Sequence, residues 1–201
     1  MSRFIETIQL RNGEPCLLHY HQKRMDNTIR AVWGKTNVHQ IKNSISIPSY
    51  ARKGVWKCRI VYDLESIHST YIPYEYKIIN SLQCVVNDDI SYIYKAENRD
   101  DLTSLFQKKS LADEILIISR NMVTDTSFSN IMFFDGSKWI TPTTYLLPGV
   151  QRTYLLETNQ IIEKTITSSD IYSFEKARLL NCFYDLQFGN DIVIKNIFPC
   201  V

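Results

Sequence analysis

The 201-residue sequence predicts an α+β fold in two lobes. Three observations carry that expectation. Strand-like runs rich in aromatic and β-branched residues are interspersed with helix-like stretches. The apolar content of 44% is enough for packed cores and too high for disorder. A polar break at Asn87-Asp88-Asp89 interrupts the pattern near mid-chain, so a smaller α/β lobe is expected over 1–86 and a larger one over 87–201.

Taken in order, "RFIETIQLRNG" looks like a strand ending in a turn at Asn12-Gly13. "HYHQKRMDNTIRAVWG" reads as a helix closed by Gly34. "VWKCRIVYD" and "HSTYIPYEYKIIN" look like paired strands, and "SLQCVVND" like a further short one. The run "SYIYK" resembles a strand end, with a helix from there to about Lys109. "DEILIIS" is a candidate buried strand. "RNMVTDTSFSNIMFFDGSKWITP" suggests two antiparallel strands about a turn at Asp135-Gly136. "LLPGVQRTYLLETN" is a loop and then a helix. "IIEKTI" is a strand, and "SSDIYSFEKARLL" a capped helix with Glu175 inside it. "NCFYDLQ" and "NDIVIKNIF" complete the sheet.

The net charge of +2, with no run of Lys and Arg longer than two, argues against a nucleic acid partner. The N-terminus lacks the apolar stretch of a signal peptide, and runs such as "ILII" are far too short to span a bilayer. Five scattered cysteines without C-x-x-C spacing fit reduced thiols, hence a cytoplasmic location. His19 and His21 form an H-x-H pair, but no third ligand cluster stands nearby, so no metal is expected.

Four stretches could carry chemistry. Lys95 lies at the junction between an apolar run and a charged one; a desolvated lysine can react with a carbonyl, whereas an ordinary one snorkels at the surface. Arg24 shares a helix face with His21; its planar fork suits a phosphate, or it could pair with Asp26 or Glu14. In "PGVQR", Pro148-Gly149 precedes a helix whose first backbone amides could bind phosphate, although ordinary loops look the same. In "VTDTSFSNIMFF", Asp125 is either a partner for a protonated ring nitrogen or a turn aspartate.

The order of an H-x-x-R-M helix, a mid-chain lysine, "VTDTSFSN", "WITP" and "LLPGVQR" resembles the class IV aminotransferases, the fold type IV enzymes that use pyridoxal 5'-phosphate (PLP). "RFIETIQLRNG" is similar to that family's F-E-T strand, and the likeness runs from about Phe4 to Asn181. The resemblance implies a two-lobed fold with Lys95 as the Schiff-base lysine, ending a strand at the floor of a cofactor cleft between the lobes. It also implies Arg24 as a phosphate ligand, Asp125 facing the pyridine nitrogen and the amides of Val150 and Gln151 on the phosphate. A homodimer acting on a small-molecule substrate would follow.

Asn98 and Arg99 after the lysine, with Asp100 where branched-chain enzymes tend to have tyrosine, are similar to the 4-amino-4-deoxychorismate lyases. A lyase releasing pyruvate and 4-aminobenzoate, a folate precursor, therefore leads. An amino acid aminotransferase of the branched-chain or D-amino acid type comes second, and a PLP-binding protein with little catalysis third. Arg59 and Arg99 are candidates for substrate carboxylates; Arg59 could equally pair with Asp63 or Glu65. Tyr74 and Tyr76 are expected to pack on the sheet with wet hydroxyls. Three departures from the family pattern stand out. Asp125 replaces a glutamate, Leu180 takes the place of a small hydroxyl residue, and the chain begins at the F-E-T strand, so part of the substrate pocket is expected to be missing or built differently.

Overall fold

β1 (Phe4–Arg11) turns back into β2 (Glu14–Pro15) through Asn12 and Gly13, at φ 52° and 85°. Two successive left-handed residues make the type of turn that matches strand twist, and Asn-Gly adopts it at low cost. β3 (Val55–Tyr62) and β4 (Ile67–Pro73) extend the sheet in the order β2-β1-β3-β4, all antiparallel. α1 (Leu18–Trp33) lays its buried residues His21, Met25, Thr28 and Ile29 on one face, at helical spacing. Met25 and Ile29 join Phe4, Ile8, Leu10, Cys58 and Ile60 in one apolar cluster, together with Ile41 of the short α2 (Ile41–Ser44).

In this computed structural model, which describes residues 2–200, the chain divides into two compact units. The first holds the chain up to Tyr76 together with Tyr94–Asn98. The second holds Lys77–Ile93 and the chain from Arg99 onward. The sequence placed the junction at Asn87, with Lys95 in the C-terminal lobe. Contacts instead gather Lys95 into the first unit, because its segment pairs with the start of β1: the Ile5 amide donates to the Lys95 carbonyl at 2.8 Å and Ala96 bridges Phe4.

The second unit contains two sheets. β5 (Leu82–Val86), β6 (Glu114–Ser119), β7 (Met122–Thr126) and the terminal β13 (Ile197–Phe198) form one, in the order β13-β5-β6-β7. β8 (Asn130–Phe134), β9 (Trp139–Pro142), β10 (Ile162–Lys164), β11 (Lys176–Leu180) and β12 (Ile192–Val193) form the other, in the order β10-β9-β8-β11-β12. α3 (Asp100–Phe106) buries Leu102 and Leu105 against Ile115 and Ile117. α4 (Val150–Glu157) places Leu155 in a cluster with Met132, Ile161 and Leu180.

Several expected elements differ. "VTDTSFSNIMFF" is two strands in two sheets, because the turn at 127–129 ends pairing with β6 and starts pairing with β11. Residues 168–180 are not a helix. Asp170–Ser173 make a single 3-10 turn, entered through a Thr167 amide that donates to Asp170 at 2.8 Å, and the chain then runs as β11 antiparallel to β8. Lys, Ala, Arg and Leu favour helix intrinsically, but the pairing with β8 and the burial of Ala177 and Leu179 outweigh those tenths of a kcal/mol. Residues 91–94 are irregular, so Lys95 ends no strand. β4 stops at Pro73 rather than continuing to Asn80, and 181–187 is a turn with one bridge, Asn181 to Tyr184.

Ile8 is fully buried between sheet and helix. Ile8→Ala is expected to lower unfolding free energy by about 2–5 kcal/mol, the range for a core methylene deletion with incomplete collapse. Urea denaturation followed by far-UV circular dichroism checks it; a loss below about 1 kcal/mol would contradict this packing.

Candidate functional site

Phe4, Glu6, Ile8 and Leu10 alternate onto the face of β1 that α1 covers. Three are apolar, and the fourth is a carboxylate with no solvent exposure. A charge there must be paired. Arg24, one turn beyond His21 on α1, grips Glu6 with both arms of its fork, Nε to Oε1 at 2.8 Å and Nη2 to Oε2 at 2.6 Å. His21 Nδ1 meets the same Oε2 at 2.6 Å. Burial alone would raise the Glu6 pKa, but the Arg24 charge and the bonds from His21 and Arg24 outweigh it and hold the carboxyl at about 2. An ionised carboxylate only accepts, so Nδ1 is the donor. Burial lowers the His21 pKa despite the bond and charge of Glu6, which raise it, and the nearby charges of Arg24 and Lys95 push the same way as burial. Its Nε2 is buried with no hydrogen-bond partner among the described residues.

Lys95 is half-buried beside β1. Two residues on, Glu97 takes Arg59 at 3.0 Å and Arg3 at 2.7 Å. Arg59 stands opposite Thr7 on β3, so this trio occupies the sheet face away from α1. Its partner is Glu97 rather than Asp63 or Glu65, and the fork of Arg24 is held by Glu6. Tyr76 accepts a hydrogen bond from Gln9 at 3.2 Å and meets Tyr74 edge to face at 5.2 Å.

In the second unit, Asp125 is 4% exposed on β7. Oδ1 accepts the Asn130 amide at 2.7 Å; Oδ2 accepts the backbone amides of Leu146 and Leu147 at 2.9 and 3.0 Å. Burial outweighs these bonds and raises its pKa to about 6. Asp125 thereby pins the loop that leads into α4. Asn130 adds a bond to the Leu147 carbonyl at 3.0 Å and packs so closely that a Cβ at Gly149 would sit 1.9 Å from its Oδ1. The first bond inside α4 runs from the Thr153 amide to the Gly149 carbonyl. The amides of Val150, Gln151 and Arg152 therefore have no intrahelical acceptor, which suits an anion. Arg152 braces the same loop, donating to the Pro142 carbonyl at 2.8 Å and to Glu163, with Tyr145 stacked 4.3 Å away. Arg99 donates to the Ser127 carbonyl and lies 5.9 Å from the Tyr92 ring. Leu180 is fully buried in the apolar cluster beside α4.

The sequence model of amino-transferase class IV matches residues 95–187. An uncharacterised Haemophilus influenzae protein is 35% identical over 188 residues, 92% of this chain and 100% of the relative. The chain belongs to the class IV aminotransferase family. A Haemophilus somnus crystal structure named as a candidate 4-amino-4-deoxychorismate lyase is 31% identical, with a TM-score of 0.87 over 92% of this chain and 98% of that one. A Mesorhizobium loti structure named as a candidate amino-acid aminotransferase shares the fold at 18% identity, with a TM-score of 0.78 over 99% and 100% of the two chains. Membership makes the chain a PLP-dependent enzyme of the lyase or aminotransferase type.

Sequence reasoning missed Glu6 in the first unit and Asn130 and Arg152 in the second as structural partners of the predicted residues. The signal for Glu6 was a lone acid among the apolar residues of one strand face. For Asn130 and Arg152 the signal lay only in the family pattern. Among the described residues no group of three or more His, Cys, Asp or Glu could hold a metal. His21 faces Glu6, whereas His19 is exposed beside Tyr20.

The two key carboxyls should titrate at opposite ends of the acid range. Glu6, depressed from 4.5 to about 2, adds stability present above pH 4.5 and lost as pH falls towards 2. Asp125, raised from 3.8 to about 6, adds stability present below pH 3.8 and lost as pH rises through 6. Carboxyl-carbon NMR titration checks this; a Glu6 midpoint above that of Asp125 would reject it.

Gly149→Ala should displace Asn130 and slacken the loop despite an ordinary φ of −64°. A clear fall in melting temperature is expected, and an unchanged one would show that the loop shifts freely.

Proposed function

We propose that the protein is a 4-amino-4-deoxychorismate lyase releasing pyruvate and 4-aminobenzoate. The observation that carries this reading is the 31% identity over nearly all of both chains to the Haemophilus somnus structure named for that activity. Asn98 and Arg99 after Lys95 support the same choice.

The residues present fit PLP. The first amides of α4 suit its phosphate, and Gly149 lets Asn130 close on the loop that leads into them. When bound, PLP supplies an electron sink for a carbanion. Lys95 would anchor it through Nζ, and Arg24 and the amides of Val150 and Gln151 would hold its phosphate. Asp125 takes three donors, which leaves a carboxylate roughly one lone-pair site for the ring nitrogen. Arg59 and Arg99 serve the two carboxylates of the substrate. With substrate bound, Lys95 Nζ would be the base that removes the proton from the amine-bearing carbon. The enolpyruvyl group departs with a proton as pyruvate and the ring becomes aromatic, so the elimination needs no second substrate. The reading places the enzyme in the cytoplasm as a homodimer, in folate precursor synthesis.

Purified protein mixed with 4-amino-4-deoxychorismate should release pyruvate and 4-aminobenzoate in equal amounts without a keto acid. Borohydride after PLP addition should fix the cofactor to Lys95, as read by peptide mass. Amino-group transfer to a keto acid without pyruvate release would favour the aminotransferase. PLP fixed to Lys95 with neither reaction would favour a binding protein, and an adduct on another lysine would reject the site.

A further inference from the structure

We propose that Glu6 is a positioning residue for phosphate capture: it clamps the Nε and Nη2 arms of Arg24 so that the guanidinium meets an incoming phosphate in one fixed orientation. This rests on the reading of Arg24 as a phosphate ligand.

A carboxylate on an anion-binding arginine could instead be a competitor, neutralising the charge and swinging away when phosphate arrives. Burial decides between the two. Glu6 has no exposure, and its neighbours on the strand face are Phe4 and Ile8. Releasing Arg24 would leave a carboxylate in that apolar layer with only neutral His21 against it. Breaking a buried pair by removing one partner is strongly destabilising. Glu6 therefore keeps its hold while the phosphate is bound. The Arg24 side chain is 12% exposed, so part of it reaches the surface of the unit. A long flexible side chain held this way loses less rotamer freedom on binding an anion. His21 completes the clamp by pinning Oε2 from the same helix face.

The test compares PLP with pyridoxal, the same ring without phosphate, by spectrophotometric titration of the full chain. Wild type should prefer PLP, and Arg24→Ala should clearly weaken the preference, the Val150 and Gln151 amides keeping the remainder. Glu6→Gln turns one oxygen into an N–H donor facing donors, so the grip is halved. It should cut the ratio of PLP to pyridoxal affinity by about tenfold or more, the scale of one charge-assisted bond. In an Arg24→Ala background the same change should have little further effect on the ratio. General loosening of the fold would weaken both ligands alike and leave the ratio unchanged. A tighter or unchanged PLP preference in Glu6→Gln would overturn the proposal. If that variant does not fold, Glu6→Asp keeps the charge but retracts it by one methylene, and a ratio equal to wild type would overturn the proposal equally. An unchanged preference in Arg24→Ala would instead reject the phosphate role of Arg24 itself.

Discussion

A carboxylate with no access to water sits in the apolar face of the first strand, and the first unit is built to satisfy it. Glu6 occupies a position that alternation assigns to the core, between Phe4 and Ile8. Its ionised state is maintained by one guanidinium and one imidazole from the same helix. Those donors stand three residues apart, so they share a helix face only if α1 keeps its register over β1. Met25 and Ile29 follow on that face and enter the apolar cluster, so the polar clamp and the packing specify the same docking. The arrangement is high in stakes: satisfied it is rigid, and half-satisfied it would cost several kcal/mol.

The second unit solves a comparable problem with the opposite electrostatic outcome. Asp125 is also buried, but its donors are a neutral side-chain amide and two backbone amides. Neutral donors offset burial less completely than a guanidinium does, and the pKa rises rather than falls. What the aspartate achieves is geometric. It draws residues 146–147 towards β7, Asn130 closes against Gly149, and α4 then starts at a defined point with its first amides uncommitted. Arg152 secures the far side of the loop through Pro142 and Glu163. Gly149 is required by this close approach and not by its backbone angle.

Much of the fold was legible because local signals and tertiary context agreed. Asn12-Gly13 reversed the first strand where expected, α1 ended at Gly34, and the pairing of β3 with β4 followed from their β-branched and aromatic content. The signal failed where composition and environment disagreed. Lys176 to Leu180 has helical composition, yet its pairing with β8 makes it a strand. "VTDTSFSNIMFF" looks continuous, yet three residues divide it between two sheets. The expected strand before Lys95 is an irregular segment, tied to β1 by long-range backbone bonds that no local pattern announces.

The sequence by itself determined the family, through the order of its motifs, and with it the residues proposed for chemistry: the lysine at 95, the arginine at 24, the aspartate at 125 and the Pro-Gly entry to α4. Order and residue type are properties of the chain, so they need no coordinates. Only the tertiary structure decided how those residues are held. Glu6 and Arg24 are 18 positions apart, and Asp125 and the 146–147 amides 21 and 22 apart. Such pairings are chosen by burial, because a polar group removed from water takes whichever partner the packing brings within about 3 Å, and packing is not a local property of sequence.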